Sequence, residues 1–369
     1  MFKKLSAPLG RRSLSISNTS LVSPTTTQFT SESESTQVPV KILLLGSGQS
    51  GKSTILKQFG ISDAHNEFKG GIFSNTVDAM RTILEMMPQL DIAADPRNER
   101  YRAMICDIPA TVEINCFPGE ISHAIKMLSQ DPGVREAISR FSEFQLSDSA
   151  EYFFNSIERL AAENYIPTTE DILHLRVKTI GVYQKEVKFD GQTLIICDTS
   201  GERCERRKWL HCFPGTTAIL FMVALNDYQK VLEEDKSVNR MNDNFALWHA
   251  TVNANHDSLK SAKFILLFNK LDLFIRDFEV ESFSVFFPDY ISWKTSTAFT
   301  GSNEVVKALE FLRLKFLGQV HNKREVYTCK LSATDTDQFR GKHLSGYQAT
   351  VYRTIFFPGV WDAVKKILL

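Results

Sequence analysis

The sequence predicts an α/β fold, a mostly parallel six-stranded sheet with an all-helical domain inserted into it. Three observations predict it. Short apolar runs recur at Val40–Leu45, Gln192–Cys197, Ala218–Leu225, Phe264–Phe268 and Val326–Leu331, separated by helical stretches, the alternation of a parallel sheet covered on both faces. Between about Ile61 and Asp171 there is no convincing β-branched run, only helical patterns. The first apolar run also opens directly into a glycine-rich loop, Gly46-Ser-Gly-Gln49-Ser50-Gly51-Lys52-Ser53, with an amphipathic helix start at Thr54 behind it.

At 369 residues the chain has room for two domains. Its first segment, residues 1–37, is rich in Ser and Thr and has little to bury, so a disordered tail is expected. Lys3, Lys4, Arg11 and Arg12 precede its first acidic residue, Glu32. That composition is shared with transit peptides and membrane-attracted tails, but a plain solvated tail is expected.

The loop at Gly46–Ser53 turns backbone N–H groups inward around phosphates, with Lys52 reaching the terminal phosphates and the Ser53 hydroxyl ligating Mg²⁺. The following helix adds its positive dipole end. Helical patterns follow at Thr76–Met87, Val134–Phe141 and Ser149–Leu160, the last with Asp148 and Ser149 as candidate caps. From about Val177 strands return, and Glu186–Phe189 and Gln192–Cys197 flank Asp190-Gly191, a two-residue hairpin signal.

Two further motifs sit at carboxyl ends of strands, where open α/β sheets place ligands. Asn269-Lys270-Leu271-Asp272 supplies an aspartate able to accept both the ring N–H and the exocyclic amine of guanine, so GTP is favoured over ATP. Asp198-Thr-Ser200-Gly201-Glu202 places a carboxylate that can hold Mg²⁺ through water and a glycine that allows close backbone approach to a γ-phosphate. Ahead of it, Arg176 can supply a fixed charge for a transition state and Thr179 a second Mg²⁺ ligand.

Taken together, in this order, these motifs resemble the heterotrimeric G-protein α subunits from about Val40 to Thr336. Gln145-Leu-Ser-Asp148-Ser149, Asn164-Tyr-Ile-Pro167 and Arg206-Arg207-Lys208-Trp209-Leu-His-Cys212-Phe213 are similar to further signatures of that family. The resemblance implies a Ras-like GTPase domain at residues 38–60 and 177–369, with residues 61–176 as the inserted helical domain. It implies a guanine-nucleotide signalling switch that hydrolyses GTP to GDP with Mg²⁺, with Arg176, Glu202 and Lys52 in catalysis. Nucleotide contacts are expected from Gly46, Gln49, Ser50, Gly51, Lys52, Ser53, Thr54, Asp148, Ser149, Leu173, His174, Leu175, Arg176, Asp198, Gly201, Asn269, Lys270, Asp272 and Ala333. Asp148 and Ser149 would reach across the cleft. Ser53 and Thr179 would hold the metal, with Asp198 acting through water.

The chain departs from the family at several of these positions. Glu202 stands where the family has its water-orienting glutamine. An ionised carboxylate about 4 Å from a γ-phosphate charge costs about 4 kcal/mol at an effective dielectric of about 20, nearly three decades in rate. Glu202 could instead polarise the water as a base or carry a proton beside the phosphate. Impaired hydrolysis is the expectation, with a hydrolysis-deficient GTP-binding interaction module as the alternative; an unrelated ATPase would rest on the phosphate loop alone. Gln49 replaces a glutamate that pairs with the arginine finger, so Gln49 is expected to hydrogen-bond Arg176 without charge assistance and GDP to leave faster. Ser200 replaces a glycine, and Arg206 and Asp243 fall where the family forms an ion pair in its GTP state.

For partners, a βγ dimer is expected on the surface carrying Arg207, Lys208, Trp209 and Cys212, weakened because the usual amphipathic N-terminal helix is not recognisable. Phe2 in place of Gly and no cysteine before Cys106 argue against N-terminal lipidation. Val360–Leu369 resembles the start of the family's last helix but stops about three turns early, after an extra stretch at roughly Phe339–Gly359. Receptor coupling is therefore doubtful. A formal charge of zero argues against nucleic acid, and the longest apolar run is too short to span a bilayer. The six cysteines lack C-x-x-C pairing, pointing to reduced thiols and a cytoplasmic protein, peripheral at the membrane through partners.

Overall fold

The computed structural model describes residues 39–60, 65–109, 117–144, 146–189, 191–297, 303–321, 324–341 and 359–368. The expected 1–37 tail, Phe2 included, and most of the extra 339–359 stretch lie outside the described residues.

Six strands form one sheet: β1 (Val40–Gly46), β2 (Val182–Phe189), β3 (Gln192–Thr199), β4 (Ala218–Ala224), β5 (Lys263–Asn269) and β6 (Val326–Lys330). Their order is β2-β3-β1-β4-β5-β6. Only the edge pair β2 and β3 is antiparallel, Val182 opposite Thr199 and Phe189 opposite Gln192. The others run parallel, with Leu44 beside Asp198 on one side and Leu220 on the other. Every residue of β4 is buried, as a central strand covered on both faces requires, whereas β2 is exposed over most of its length and tolerates charge.

Alternation along the strands divides the interior into two cores. Leu43 and Leu45, Ile219, Phe221 and Val223, and Phe264, Leu266 and Phe268 point to one face. There they meet helices α9 (Arg240–Val252), α11 (Val280–Phe286), α12 (Asp289–Ser296) and α13 (Glu304–Leu317). Ile42 and Leu44, Leu220 and Met222, and Ile265 and Leu267 point to the other, against α1 (Lys52–Gln58), α14 (Thr336–Phe339) and α15 (Val360–Leu368). Between β5 and α11 lies α10 (Leu271–Asp277).

Between α1 and β2 the described residues hold no strand and build a third core of their own. Its axis is α2 (Lys69–Met86), which buries Ile72, Phe73, Met80 and Ile83 against α3 (Glu99–Cys106), α4 (Gly119–Ser129), α5 (Pro132–Ser139), α6 (Ala150–Asn155) and α7 (Ile157–Leu160). The last helix of this block, α8 (Thr169–His174), starts with a reciprocal capping box between Thr168 and Asp171. The Asp171 carboxylate also accepts from Arg159, Tyr152 and Tyr165. Burial opposes ionisation there, but these donors outweigh it and hold the carboxyl below the usual range. That anchor fixes where the chain leaves the helical block, and Arg176 follows two residues after α8.

Two expectations are corrected. The pattern at Ser149–Leu160 is not one helix but α6 and α7, broken at Ser156. Asp148 and Ser149 do not cap α6 through their side chains: Ser149 occupies the cap position without a capping bond, its hydroxyl lying 3.1 Å from His174 Nδ1, and the Asp148 oxygens are taken by lysines.

Candidate nucleotide-binding site

The loop between β1 and α1 holds Gly46, Gln49 and Gly51 at φ of 137°, 61° and 100°, conformations that curl the backbone inward. Two of its glycines are forced by close approach as well. A Cβ on Gly46 would lie 2.2 Å from the Met222 carbonyl oxygen, and one on Gly51 2.1 Å from Asn269 Nδ2. Lys52 is buried beneath this loop and donates to the carbonyls of Gly46 (3.0 Å) and Ser47 (2.7 Å) and to Ser50 Oγ (3.4 Å). Burial lowers its pKa to about 8, with the Asp198 carboxylate opposing.

Asn269, at the end of β5, joins two loops. Its Nδ2 donates to the Ser50 carbonyl at 2.8 Å, and its Oδ1 accepts the Ala333 N–H at 2.8 Å. The Asp272 N–H donates to Ser332 Oγ at 3.0 Å, so Asn269-Lys270-Leu271-Asp272 and the Ser332–Asp335 turn are fastened to each other. These elements enclose a cavity of about 460 Å³ between the sheet and the helical block. Its walls include Gln49, Gly51, Lys52, Ser53, Thr54, Asp148, Ser149, Leu173, His174, Leu175, Arg176, Thr179, Gly201, Glu202, Asn269, Lys270, Asp272 and Ala333. Gly46, Ser50 and Asp198 lie behind the wall rather than in it. Leu173 and Leu175 are buried, so at those positions the backbone is what a ligand would meet.

Three oxygens converge at the foot of Lys52. Ser53 Oγ lies 2.7 Å from Thr179 Oγ1 and donates to Asp198 Oδ2 at 2.5 Å, and Thr179 Oγ1 is 3.4 Å from the same carboxylate oxygen. The other oxygen, Asp198 Oδ1, is buried without a hydrogen-bond partner. Burial raises the Asp198 pKa, the Ser53 hydroxyl and Lys52 opposing. Two hydroxyls and one carboxylate with an uncommitted oxygen form an all-oxygen donor set, which fits a small hard divalent cation such as Mg²⁺.

Across the cleft, Asp148 accepts from Lys230 Nζ and Lys270 Nζ, each at 2.6 Å. Burial opposes its ionisation, but the two ammonium groups hold its carboxyl far below the usual range. Beside it, His174 stacks on Tyr152 with ring centroids 3.9 Å apart and planes 10° from parallel. Burial pulls the His174 pKa down to about 4, Asp272 opposing, so the ring is neutral near pH 7.

Several expectations about the flanking segments need revision. Gln49 does not hydrogen-bond Arg176. Its amide donates to Glu233 Oε2 (3.3 Å) and its carbonyl accepts from Arg240 Nη1 (3.2 Å), while Arg176 pairs with Glu233 at 3.6 Å. The short amide side chain is drawn toward Arg240, whose guanidinium is fixed by the buried Asp227 at 3.2 Å. Glu202 faces Lys178 Nζ at 3.0 Å. Arg206 does grip Asp243 with both terminal nitrogens (3.1 and 2.6 Å) and donates through Nε to the Gly201 carbonyl. Trp209 and Cys212 are not on the surface proposed for a partner: both are buried, the Trp209 indole donating to the Ser200 carbonyl at 2.9 Å. Arg207 and Lys208 are exposed.

The family model for the G-protein alpha subunit matches residues 19–342. This chain belongs to the G-protein α-subunit family. It is 41% identical over 310 residues to a guanine nucleotide-binding protein subunit alpha of Coprinellus congregatus, covering 82% of this chain and 84% of the relative. A subunit alpha of Emericella nidulans is 40% identical over 82% of this chain and 85% of its own, and an alpha-1 subunit of Neurospora crassa 38% identical over the same shares. Residues that sequence patterns do not single out also meet this cleft: Lys178, Glu233 and Arg240 line it, and Lys230 pairs with Asp148 at its edge. Each is an ordinary charged residue in sequence, identifiable only by its partner across the fold.

Among the described residues of this α subunit no helix is long and apolar enough to cross a membrane. Cys106, Cys197, Cys204, Cys212 and Cys329 are free thiols.

Proposed function

We propose that this G-protein α subunit is a Mg²⁺-dependent guanine-nucleotide switch that binds GTP and hydrolyses it slowly to GDP. The observation that carries the reading is the convergence of Ser53, Thr179 and Asp198 oxygens beside Lys52, beneath a loop of inward-turned amides. Residues 38–60 and 177–369 act as the GTPase domain and residues 61–176 as the inserted helical domain closing over it. Asp272 reads guanine, its backbone set by Ser332, while Ala333 and Lys270 line the base side. Thr54, Ser149, His174 and the backbone of Leu173 and Leu175 line the rest of the pocket. Ser53 and Thr179 would hold Mg²⁺, with Asp198 acting through water, and the bound ion would supply charge neutralisation to the phosphate oxygens.

In hydrolysis Lys52 and the loop amides hold phosphate charge, Gly201 brings a backbone N–H against the loop, and Arg176 stabilises the charge of the transition state. Glu202 sits where water must be oriented, but a carboxylate has no amide hydrogen to donate to a γ-phosphate oxygen. Its pairing with Lys178, which raises the lysine's pKa, favours a side chain turned away from that task. The Arg206–Asp243 pair locks the second switch segment in the active arrangement. A βγ dimer docks at Arg207, Lys208 and the exposed Leu210, and the protein works in the cytoplasm and at the membrane through its partners.

The test is single-turnover γ-phosphate release from GTP with Mg²⁺, by the chain and by Glu202→Gln. Slow release that rises ten- to hundredfold in the variant is expected. Equal rates would remove the account of Glu202, and GTP binding without release from either protein would leave a non-hydrolysing interaction module.

A further inference from the structure

We infer that Glu233 is the carboxylate that holds Arg176 across the cleft, in place of the one absent at position 49, and that it slows nucleotide release through Gln49; this rests on the nucleotide-switch reading above. The Arg176 backbone N–H donates to Asn75 Oδ1 of α2 at 2.7 Å, so the residue is rooted in the helical block. Its guanidinium leaves that block and meets Glu233 Oε2 at 3.6 Å. The same oxygen accepts from Gln49 Nε2 at 3.3 Å. Gln49 in turn accepts from Arg240, which donates to the Gly48 carbonyl and pairs with Asp227, both members being almost wholly buried. Asp227 Oδ2 also accepts from Ser47 Oγ and Asn244 Nδ2. A continuous polar chain therefore runs from a buried ion pair, along the phosphate loop, to the arginine that closes the cleft.

Glu233 is itself held in place. Leu232 is buried, its N–H donates to the Val238 carbonyl (2.9 Å), and the Arg240 N–H donates to the Lys230 carbonyl (2.8 Å), pinning the turn that carries Glu233. The next residues of that turn reach the second switch segment: Glu234 accepts the Arg203 N–H at 3.2 Å and Asp235 pairs with its guanidinium at 3.5 Å. One acidic turn thus clasps both Arg176 and Arg203. Because Arg176 and Glu233 are 42% and 55% exposed, the contact is a modest latch rather than a rigid tie. Arg176 is a catalytic residue here, and Glu233 a positioning residue acting through it.

The arrangement predicts an unusual sign. A glutamate at position 49 would keep one oxygen on Arg240 and set the other against Glu233 at about the distance of the present hydrogen bond, so with Glu233 in place the two carboxylates compete at Arg176 instead of reinforcing one another. The experiment measures release of fluorescent GDP, with fluorescent ADP as the base control, for the full chain, Glu233→Gln, Gln49→Glu and the double variant at low and high salt. Hydrogen exchange of the peptide spanning residues 174–179 is measured on the same proteins without added nucleotide. Expected are two- to fivefold faster GDP release in Glu233→Gln with a shallower salt dependence, no slowing in Gln49→Glu, and return to the original rate in the double variant. Exchange at 174–179 should rise at least twofold in Glu233→Gln and fall back in the double variant. Unchanged release and exchange in Glu233→Gln, or a Gln49→Glu that slows release equally in both backgrounds, would overturn the inference. Should neither GDP nor ADP bind, the nucleotide-switch reading fails, and the exchange data alone decide whether Glu233 latches Arg176.

Discussion

Replacing Asp148 with Asn removes one charge from the junction between the helical block and the sheet while keeping its shape. The carboxylate faces two ammonium groups at 2.6 Å each, and the three side chains are 22%, 10% and 13% exposed for Asp148, Lys230 and Lys270. With charge centres about 3.5 Å apart and an effective dielectric of about 20, each pair is worth roughly 4–5 kcal/mol of gross attraction. Desolvation offsets much of that, yet losing one partner of a buried pair typically costs about 3–5 kcal/mol because the other charge is stranded. Two lysines would be stranded together, repelling one another, but water reaches all three groups, so about 2–4 kcal/mol is the expected loss of closure. Since about 1.4 kcal/mol is a factor of ten, fluorescent GDP should leave roughly thirty- to several-hundredfold faster from Asp148→Asn than from the unaltered chain. Adding Lys230→Met, which removes one stranded charge, should recover part of that loss. A melting curve that falls while GDP release stays within twofold would show that the lysines serve the fold and not the cleft, and the reasoning would be wrong.

Three further outcomes follow from other parts of the structure. His174 keeps a pKa of about 4 against an ordinary 6.5, so the unfolded chain takes up a proton first as pH falls. Stability tied to this ring is therefore fully present above about pH 6.5 and lost on acidification toward pH 4; denaturant titrations should show His174→Asn missing a decline on the order of 2 kcal/mol in that window. Gly201→Ala would place a Cβ 2.4 Å from the Ser47 carbonyl carbon and 2.5 Å from the Gly48 nitrogen, so a loss of about 2–4 kcal/mol is expected, whereas Gly48→Ala, with nothing within 4 Å of its Cβ, should stay within about 0.5 kcal/mol. Trp248, fully buried and donating to the Phe316 carbonyl at 2.8 Å, should cost about 3–5 kcal/mol when truncated to Ala, read by chemical denaturation.

The strands were legible because burial on both faces leaves continuous apolar runs, and the phosphate loop because its glycines answer to backbone geometry that few other residues adopt. Arg206 and Asp243 could be paired in advance through the family resemblance. The same route misplaced Gln49, since a resemblance states which partner a residue has lost and not which it will find. Glu233 and Arg240, 184 and 191 residues away, captured it from a turn and from the start of α9. Asp148 looked like a helix cap because Asp before an apolar run usually is one. Two lysines from separate loops outcompeted the backbone for its oxygens, and no local pattern announces that contest. Trp209 was placed on the surface by position in a motif, but its indole finds a carbonyl acceptor and apolar cover inside, the usual resolution for a side chain so large and mostly apolar.

The end of the sheet carries one more consequence. α14 and α15 bury Phe339, Val360, Ala363 and Val364 in the same core, yet their backbones are separate pieces that come together where Gly359 lies against Gly341 and the Gln338 carbonyl. Contact between the two passes through rings: Trp361 lies 6.1 Å from Phe339 and 4.1 Å from Phe189, and Phe339 lies 5.0 Å from Phe59 at the end of α1. The link from α15 to the Ser332–Asp335 loop, which leads straight into α14, and to α1, which follows the phosphate loop, therefore runs through four packed rings and not along one continuous helix.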